Sequence, residues 1–406
     1  MKTASKTAQS VALNDYEKKM MRFKGGISAC NLFQCENKDS AIAFIHERFQ
    51  QIVHANPWLK GSCSKGKNGE INLNFDSSDT DATSLIFSSR APSGLDENSS
   101  YTDIINVCEP YIVKTAFKLY RKKNRLTKLV ILHLDDQRFL LIFSLSHLIG
   151  DGHTFYQIFN MLSSQSEVYG LNVIRKSEMV QAKDFIPKKH LNFIFSPTMI
   201  FWLIIKVLFS RKKVRVDSFE LNKSYVQQQK QAAKEGGVVP FVSTNDILSS
   251  TYAHLSDSNA MMLAINFRNR IPAITDKDAG NYEDILVIDK ERSSTNEKIR
   301  TLINDLKNEV PKIKFPKGRA VLKSNPVFIT NWAGFSKPII IENAQSLIHL
   351  PLYTTKQINF DLCVVYSPRV DVVSALFFMK GLDEDKVRSH PLFKKSRVDN
   401  HTKLRK

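Results

Sequence analysis

The stretch LTKLVILHLDDQRFLLIFSLSH, residues 126–147, limits the possible folds of this chain more than any other. Two runs rich in β-forming residues flank Asp135-Asp136-Gln137, a turn signal, so the segment reads as an antiparallel hairpin. Neither run alternates polar and apolar residues, as a half-solvated sheet would. Both are nearly all apolar, which predicts burial on both faces. A sheet covered on two sides needs layers of helix or sheet around it. With 406 residues, the chain is long enough for two lobes of roughly 150–200 residues each.

The rest of the pattern fits that demand. Residues 39–53, DSAIAFIHERFQQIV, place Ile42, Phe44, Ile45, Phe49 and Ile52 on one helical face behind an Asp39 or Ser40 cap. Residues 154–169, TFYQIFNMLSSQSEVY, repeat apolar positions at helical spacing through Phe155, Ile158, Phe159 and Leu162. INLNF and SLIF read as short strands, as do AMMLAINF, NPVFITNW and QINFDLCVVYSP farther on. PFVSTNDILSSTYAHL reads as a strand entering a helix capped by Ser243 or Thr244, and STNEKIRTLINDLKNEV as an amphipathic helix. Strands and helices alternate in both halves, which predicts an α/β fold of two similar lobes, each a mixed sheet flanked by helices. The expected division is an N-terminal lobe over 1–185, a crossover over 186–240, a C-terminal lobe over 241–380 and a basic tail over 381–406.

The hairpin runs directly into SHLIGDGH, residues 146–153, the densest chemistry in the chain. A histidine at a strand end is held rigidly yet can face a cleft, and a neutral imidazole near pH 7 is a natural general base. Gly150 and Gly152 oppose a regular helix at this point, and Gly152 would let a substrate carbonyl approach the backbone. Asp151 needs a cationic partner if it is buried. The same residues also read as a β-turn with a satisfied core histidine, or as metal ligands His147, Asp151 and His153. The glycines disturb the helix that ligation four residues apart requires, and no further cluster completes a metal sphere. Five scattered cysteines with no CxxC pair give neither a disulfide framework nor a zinc site, and suit a reducing compartment.

His147-Leu-Ile-Gly-Asp151-Gly152, after a strand and before a helix, resembles the HxxxDG motif of the CoA-dependent acyltransferase superfamily. That superfamily has the chloramphenicol acetyltransferase-like fold. It includes plant BAHD acyltransferases, wax ester synthase/diacylglycerol acyltransferases and peptide-synthetase condensation domains. ANPWLKG (55–61), VSTNDIL (242–248), INFRNR (265–270), GNY (280–282) and FITNWAGF (328–335) follow in the family's order, so the resemblance spans nearly the whole chain. It implies an active-site channel between the lobes, with His147 taking the acceptor's proton as it attacks an acyl thioester. It implies a structural pair between Asp151 and Arg268, with Arg270 as second choice. Thr330 and Asn331 fall where the family places small polar groups near the developing oxyanion, and they read equally as strand-end caps. Asn281 matches a Gly-Asn element and, with Ser243, Thr244 and Trp332, is a candidate for binding the co-substrate or acceptor. The implied co-substrate is acyl-CoA, with no bound cofactor and no metal.

Three departures refine this reading. Ser146 replaces the first histidine of the condensation-domain HHxxxDG, which weakens a carrier-protein reaction. The plant DFGWG signature is absent, and TNWAGF (330–335) looks more like the SNVPG-type element of the wax ester group. With no GxSxG or cysteine-centred motif, direct transfer in a ternary complex is favoured over a covalent intermediate. The reading therefore expects an alcohol acceptor, hydrophobic in character, with an amine acceptor or a non-catalytic lipid-surface protein as alternatives.

The net charge of +18 favours an anionic partner, and both CoA phosphates and anionic lipid qualify. No zinc finger, RNP-like strand or aromatic-laced basic helix supports nucleic acid. MIFWLIIKVLF (199–209), followed by SRKKVRV, is shorter than a membrane span and suits either an interfacial helix or a crossover helix packed on the lobes. The expectation is thus a cytoplasmic monomer with a peripheral membrane contact through 199–215. The first residues lack a signal-peptide core; being acid-free up to Asp15, they leave a transit-peptide reading open.

Overall fold

A computed structural model describes residues 7–14, 17–18, 26–92, 94–113, 125–178, 196–197, 199, 201, 213–306, 325–356, 358 and 360–394. Most of the apolar-basic stretch at 199–215 and the tail from 395 lie outside the described residues. Among those described, no helix is long and apolar enough to cross a membrane.

The hairpin forms as the sequence predicts. Its strands Thr127–His133 (β6) and Arg138–Ser146 (β7) pair antiparallel, Leu129 opposite Phe143 and Ile131 opposite Leu141. Both lie inside a five-stranded sheet. There β2 (Gly26–Cys35) flanks β7, β5 (Ile86–Arg90) runs parallel to β6, and β12 (Ala344–Pro351) closes the far edge beside β2. A six-stranded sheet forms the other lobe in the order β10-β9-β11-β13-β14-β8. Its members are β8 (Arg215–Glu220), β9 (Ala260–Asn266), β10 (Glu283–Asp289), β11 (Val327–Asn331), β13 (Leu362–Arg369) and β14 (Val372–Met379). A small antiparallel sheet of β1 (Ala8–Ala12), β3 (Ser62–Lys65) and β4 (Ile71–Asp76) completes the set. The α/β architecture of two lobes with mixed main sheets is therefore as expected.

Two strands join sheets outside their expected segments. β12 comes from the second half of the chain but pairs with β2 of the first sheet, Leu350 opposite Cys30. β8, from the expected crossover, pairs with β14. Strand β13 is apolar over its first five residues, and the packing shows why. Leu362, Val364 and Tyr366 enter one hydrophobic core and Cys363 and Val365 the other. Side chains alternate across a strand, so a sheet clamped between two cores needs apolar residues at every position.

Helix α1 (Lys38–Ala55) is capped by Asn37, whose side chain accepts from the Ser40 amide, rather than by Asp39 or Ser40. It buries Ala41, Ile45, Phe49, Ile52 and Val53, so the stripe is narrower than expected: Ile42 and Phe44 are only partly covered. Helix α2 (Tyr101–Cys108) follows β5, and α3 (Gly152–Asn160) follows the histidine loop. α3 ends nine residues short of the expected Tyr169, because MLSSQS closes into turns, with Met161 donating to the Ile158 carbonyl and Ser163 to that of Asn160. The second lobe adds α4 (Lys223–Gly236), α5 (Thr244–Leu255), α6 (Asn296–Asp305) and α7 (Glu384–Ser389). No strand precedes α5. Ser243 and Asp246 instead form a reciprocal cap in which each backbone N–H donates to the other's side chain.

Candidate active site

The strand β7 ends at Ser146, and the next residues are pulled in opposite directions. Leu148 and Ile149 are fully buried, which leaves the His147 ring facing outward from an anchored turn. Its side chain is 21% exposed, so the imidazole is reachable rather than sealed in packing.

Asn281 sets the state of that ring. Its side-chain amide N–H donates to the His147 carbonyl at 3.0 Å and to Glu17 Oε1 at 3.3 Å. Two acceptors therefore flank the nitrogen, which assigns the amide oxygen to the contact with His147 Nδ1, 2.9 Å away. An amide oxygen only accepts, so Nδ1 carries the proton. Nε2 is left with its lone pair, the basic tautomer. Burial lowers the His147 pKa below its ordinary value, although its own backbone, Asp151 and Asn281 pull the other way. The ring is accordingly neutral at pH 7.

Glu17 is itself held by Arg175, whose Nε donates to both carboxylate oxygens at 2.9 and 3.0 Å. The same guanidinium donates to the carbonyls of Ile149 and Ala279. One side chain thus ties the histidine loop to the loop carrying Asn281. Between them Gly280 has φ +140°, a conformation that side chains rarely adopt, and a Cβ there would come within 3.0 Å of Arg175 Nε.

Asp151 is hydrogen-bonded through both carboxylate oxygens. It caps α3, accepting from the Thr154 amide at 2.9 Å, and its other oxygen accepts from Arg268 Nη1 at 2.7 Å and from the Tyr282 amide at 2.9 Å. Both partners of the ion pair are buried, at 0% and 1% side-chain exposure. Burial alone would raise the Asp151 pKa. The charge and hydrogen bond of Arg268, with the Thr154 amide, outweigh it and hold the carboxyl at about 2. Arg268 also donates to the carbonyls of Asp278 and Gly280, to Thr154 Oγ1 and to Asn266 Oδ1, so its guanidinium ties α3 and the histidine loop to the second half of the chain. Arg268, the first choice, is the partner. Arg270 is not; burial and the nearby Arg300 lower its pKa.

A cavity of about 30 Å³ adjoins this junction, lined by Gly152, Thr330, Asn331, Trp332 and Glu283 among others. A Cβ on Gly152 would lie 3.1 Å from the Trp332 indole nitrogen, so a side chain there would press the indole back by a few tenths of an ångström. Asn331 is engaged on both sides, donating to Asn245 and accepting from the Ala333 amide. Ser243 is occupied in the α5 cap, and neither it nor Thr244 lines this cavity.

Glu283, the first residue of β10, is the most informative residue that the motif reading missed. Its carboxyl lies 3.5 Å from His147 Nε2 and is 20% exposed. Burial, reinforced by the negative charge of Asp151 and offset in part by Arg268, pushes its pKa up to about 8. A raised carboxyl pKa means that the folded state keeps a proton the unfolded chain releases near pH 4.5. The folded state is therefore progressively disfavoured as pH rises from about 4.5 to about 8. Replacing Glu283 with glutamine should raise the melting temperature at pH 8 and change it little at pH 5. Thermal scans at the two pH values check this, and an equal shift at both would contradict it.

No family model matches the chain, and no curated protein matches it. Solved structures do. Polyketide synthase associated protein 5 from Mycobacterium tuberculosis is 12% identical with TM-score 0.60, covering 95% of this chain and 98% of that one. F. sporotrichioides TRI101, solved with coenzyme A and T-2, is 12% identical with TM-score 0.64, covering 96% and 100%. Vinorine synthase is 13% identical with TM-score 0.61, covering 97% and 96%. At such identities the likeness is one of fold: the chain has the two-lobed chloramphenicol acetyltransferase-like fold expected from its motifs.

Proposed function

We propose that the protein transfers an acyl group from a CoA thioester to a small-molecule acceptor, with Nε2 of His147 as general base. The observation that carries this reading is the Glu17–Asn281–His147 chain, which leaves an unprotonated, partly exposed Nε2 at the junction of the lobes. In the reaction Nε2 takes the acceptor's proton as the nucleophile attacks the thioester carbon. The imidazolium then returns that proton to the departing CoA sulfur. Both substrates are present together, so no covalent enzyme intermediate forms.

Asp151 and Arg268 act as a scaffold that fixes the histidine loop against the second lobe. Thr330 and Asn331 lie at the end of β11, where small polar groups could meet the oxyanion, but the Asn331 amide is already bonded to Asn245. Thr330 is the better candidate of the two. Support for CoA as the acyl carrier comes from the resemblance at the motifs and from TRI101, which shares the fold and was solved with coenzyme A. The basic surplus of the chain suits its phosphates.

The acceptor expected from the sequence is a hydrophobic alcohol. A second reading, an amine acceptor, is favoured by Glu283. Incubating the full chain with acyl-CoAs from acetyl to palmitoyl, with and without acceptors, tests the shared part of both. Free CoA should appear in step with an acylated product identified by mass spectrometry. Thioesters left intact under all conditions would contradict the assignment.

A further inference from the structure

Glu283 is hard to explain as a structural residue. Its carboxyl sits where the second sheet meets the histidine loop, and among the described residues no lysine or arginine reaches it within 4.0 Å. The charged or titratable groups acting on it are Asp151, Arg268 and Asp284, with His147 in contact and Tyr353 nearby. A buried carboxyl without a cation costs stability, and leucine or isoleucine would pack there without that cost. The chain has 58 lysines and arginines, yet Arg268, the nearby cation that acts on this carboxyl, spends its own ion pair on Asp151.

Beside this carboxyl is the lone pair of His147 Nε2, 3.5 Å away. In the free protein this carboxyl keeps its proton up to about pH 8; once a bound cation lets it ionise, the carboxylate and Nε2 are two acceptors that one nitrogen bearing several hydrogens can bridge, each contact near 2.9 Å. A hydroxyl has a single hydrogen and can satisfy only one of them.

Resting on the acyl-transfer reading above, we propose that the acceptor is a primary amine, seated as its ammonium ion between the Glu283 carboxylate and His147 Nε2. Proton counting supports the same class. An ammonium nitrogen must lose two protons to become an amide nitrogen, whereas a hydroxyl loses one. The first passes to Glu283 and on to solvent, which frees the lone pair that attacks the thioester carbon. The second leaves the nitrogen of the tetrahedral adduct for His147 Nε2, and the imidazolium delivers it to sulfur as the C–S bond breaks. The products are an amide, CoA thiol and one proton in solution. A bound ammonium also supplies the counter-charge that Glu283 lacks in the free protein.

The test measures kcat/KM of the full chain with acetyl-CoA, or with whichever acyl-CoA it turns over fastest, for two matched pairs. These are 1-octylamine against 1-octanol, and tyramine against tyrosol, with amide and ester products separated by mass spectrometry. The wild type should prefer the amine of each pair at least tenfold, and Glu283→Gln should cut that amine-to-alcohol ratio at least tenfold. A ratio is insensitive to the fraction of folded enzyme, and the wild-type preference alone decides the matter if the variant does not fold. Ester formation as fast as amide formation, or an unchanged ratio in the variant, overturns this inference while leaving acyl transfer intact. No CoA release with any acceptor overturns both.

Discussion

Replacing His147 with alanine should lower kcat/KM for acyl transfer by about 10²–10⁴-fold, the range a positioned general base contributes. The melting temperature should change little, because the ring is partly exposed and its side-chain hydrogen bond is to the Asn281 amide oxygen. Loss of one such bond costs about 1 kcal/mol. The pH profile of the wild type supplies a second signature. The base works only while neutral, so activity falls as pH drops through its pKa. Burial lowers that pKa, and the acid limb should therefore lie below the ordinary histidine value of about 6.5. A His147→Ala enzyme that folds and keeps its rate would remove the imidazole from the mechanism.

Arg268→Ala should be the most damaging single substitution for stability. It strands the Asp151 carboxylate at 1% exposure and leaves the Asp278 and Gly280 carbonyls and the Thr154 hydroxyl without their shared donor. Breaking a buried pair from one side costs about 3–5 kcal/mol, which for a chain of this size corresponds to a fall of roughly 3–6 degrees in melting temperature. Arg268→Lys should recover part of this, since an ammonium keeps the charge but cannot reproduce the fork of contacts. The pair also gives stability a pH signature. The Asp151 pKa is depressed in the folded state, so its contribution is present above about 4 and lost as pH falls towards about 2. Calorimetry of wild type and variant checks the magnitude, and equal melting at pH 7 would contradict the scaffold role.

The hairpin, the histidine loop and the Asp151–Arg268 pair were legible because each rests on a local pattern or a motif at known spacing. Strand β2 was not. It mixes Ser28 and Asn31 into an apolar run, and only the fold shows their partners, the Ser144 hydroxyl at 2.6 Å and the His349 ring at 2.6 Å. The placement of β12 was hidden because AQSLIHLP carries no signal of which sheet it joins; pairing 318 residues apart (His349 with Asn31) is a tertiary choice. Glu17 and Arg175 escaped for the same reason. They lie 158 residues apart, and neither belongs to a motif, although together they fix the tautomer of the central histidine. Glu283 did offer a clue: two acidic residues, Glu283 and Asp284, open the strand EDILVID directly after Gly-Asn-Tyr. Its meaning depended on the distance to His147, which no spacing rule supplies.

His147 presents a bare Nε2 because Asn281, braced by Glu17, holds the proton on Nδ1. Nitrogen-15 NMR of the full chain carrying labelled histidine, assigned through His147→Gln, reads that directly at pH 7. Nε2 should give a resonance of the unprotonated type and Nδ1 one of the protonated type, with the pattern scrambled in Asn281→Ala. A proton found on Nε2, or on both nitrogens, would contradict it.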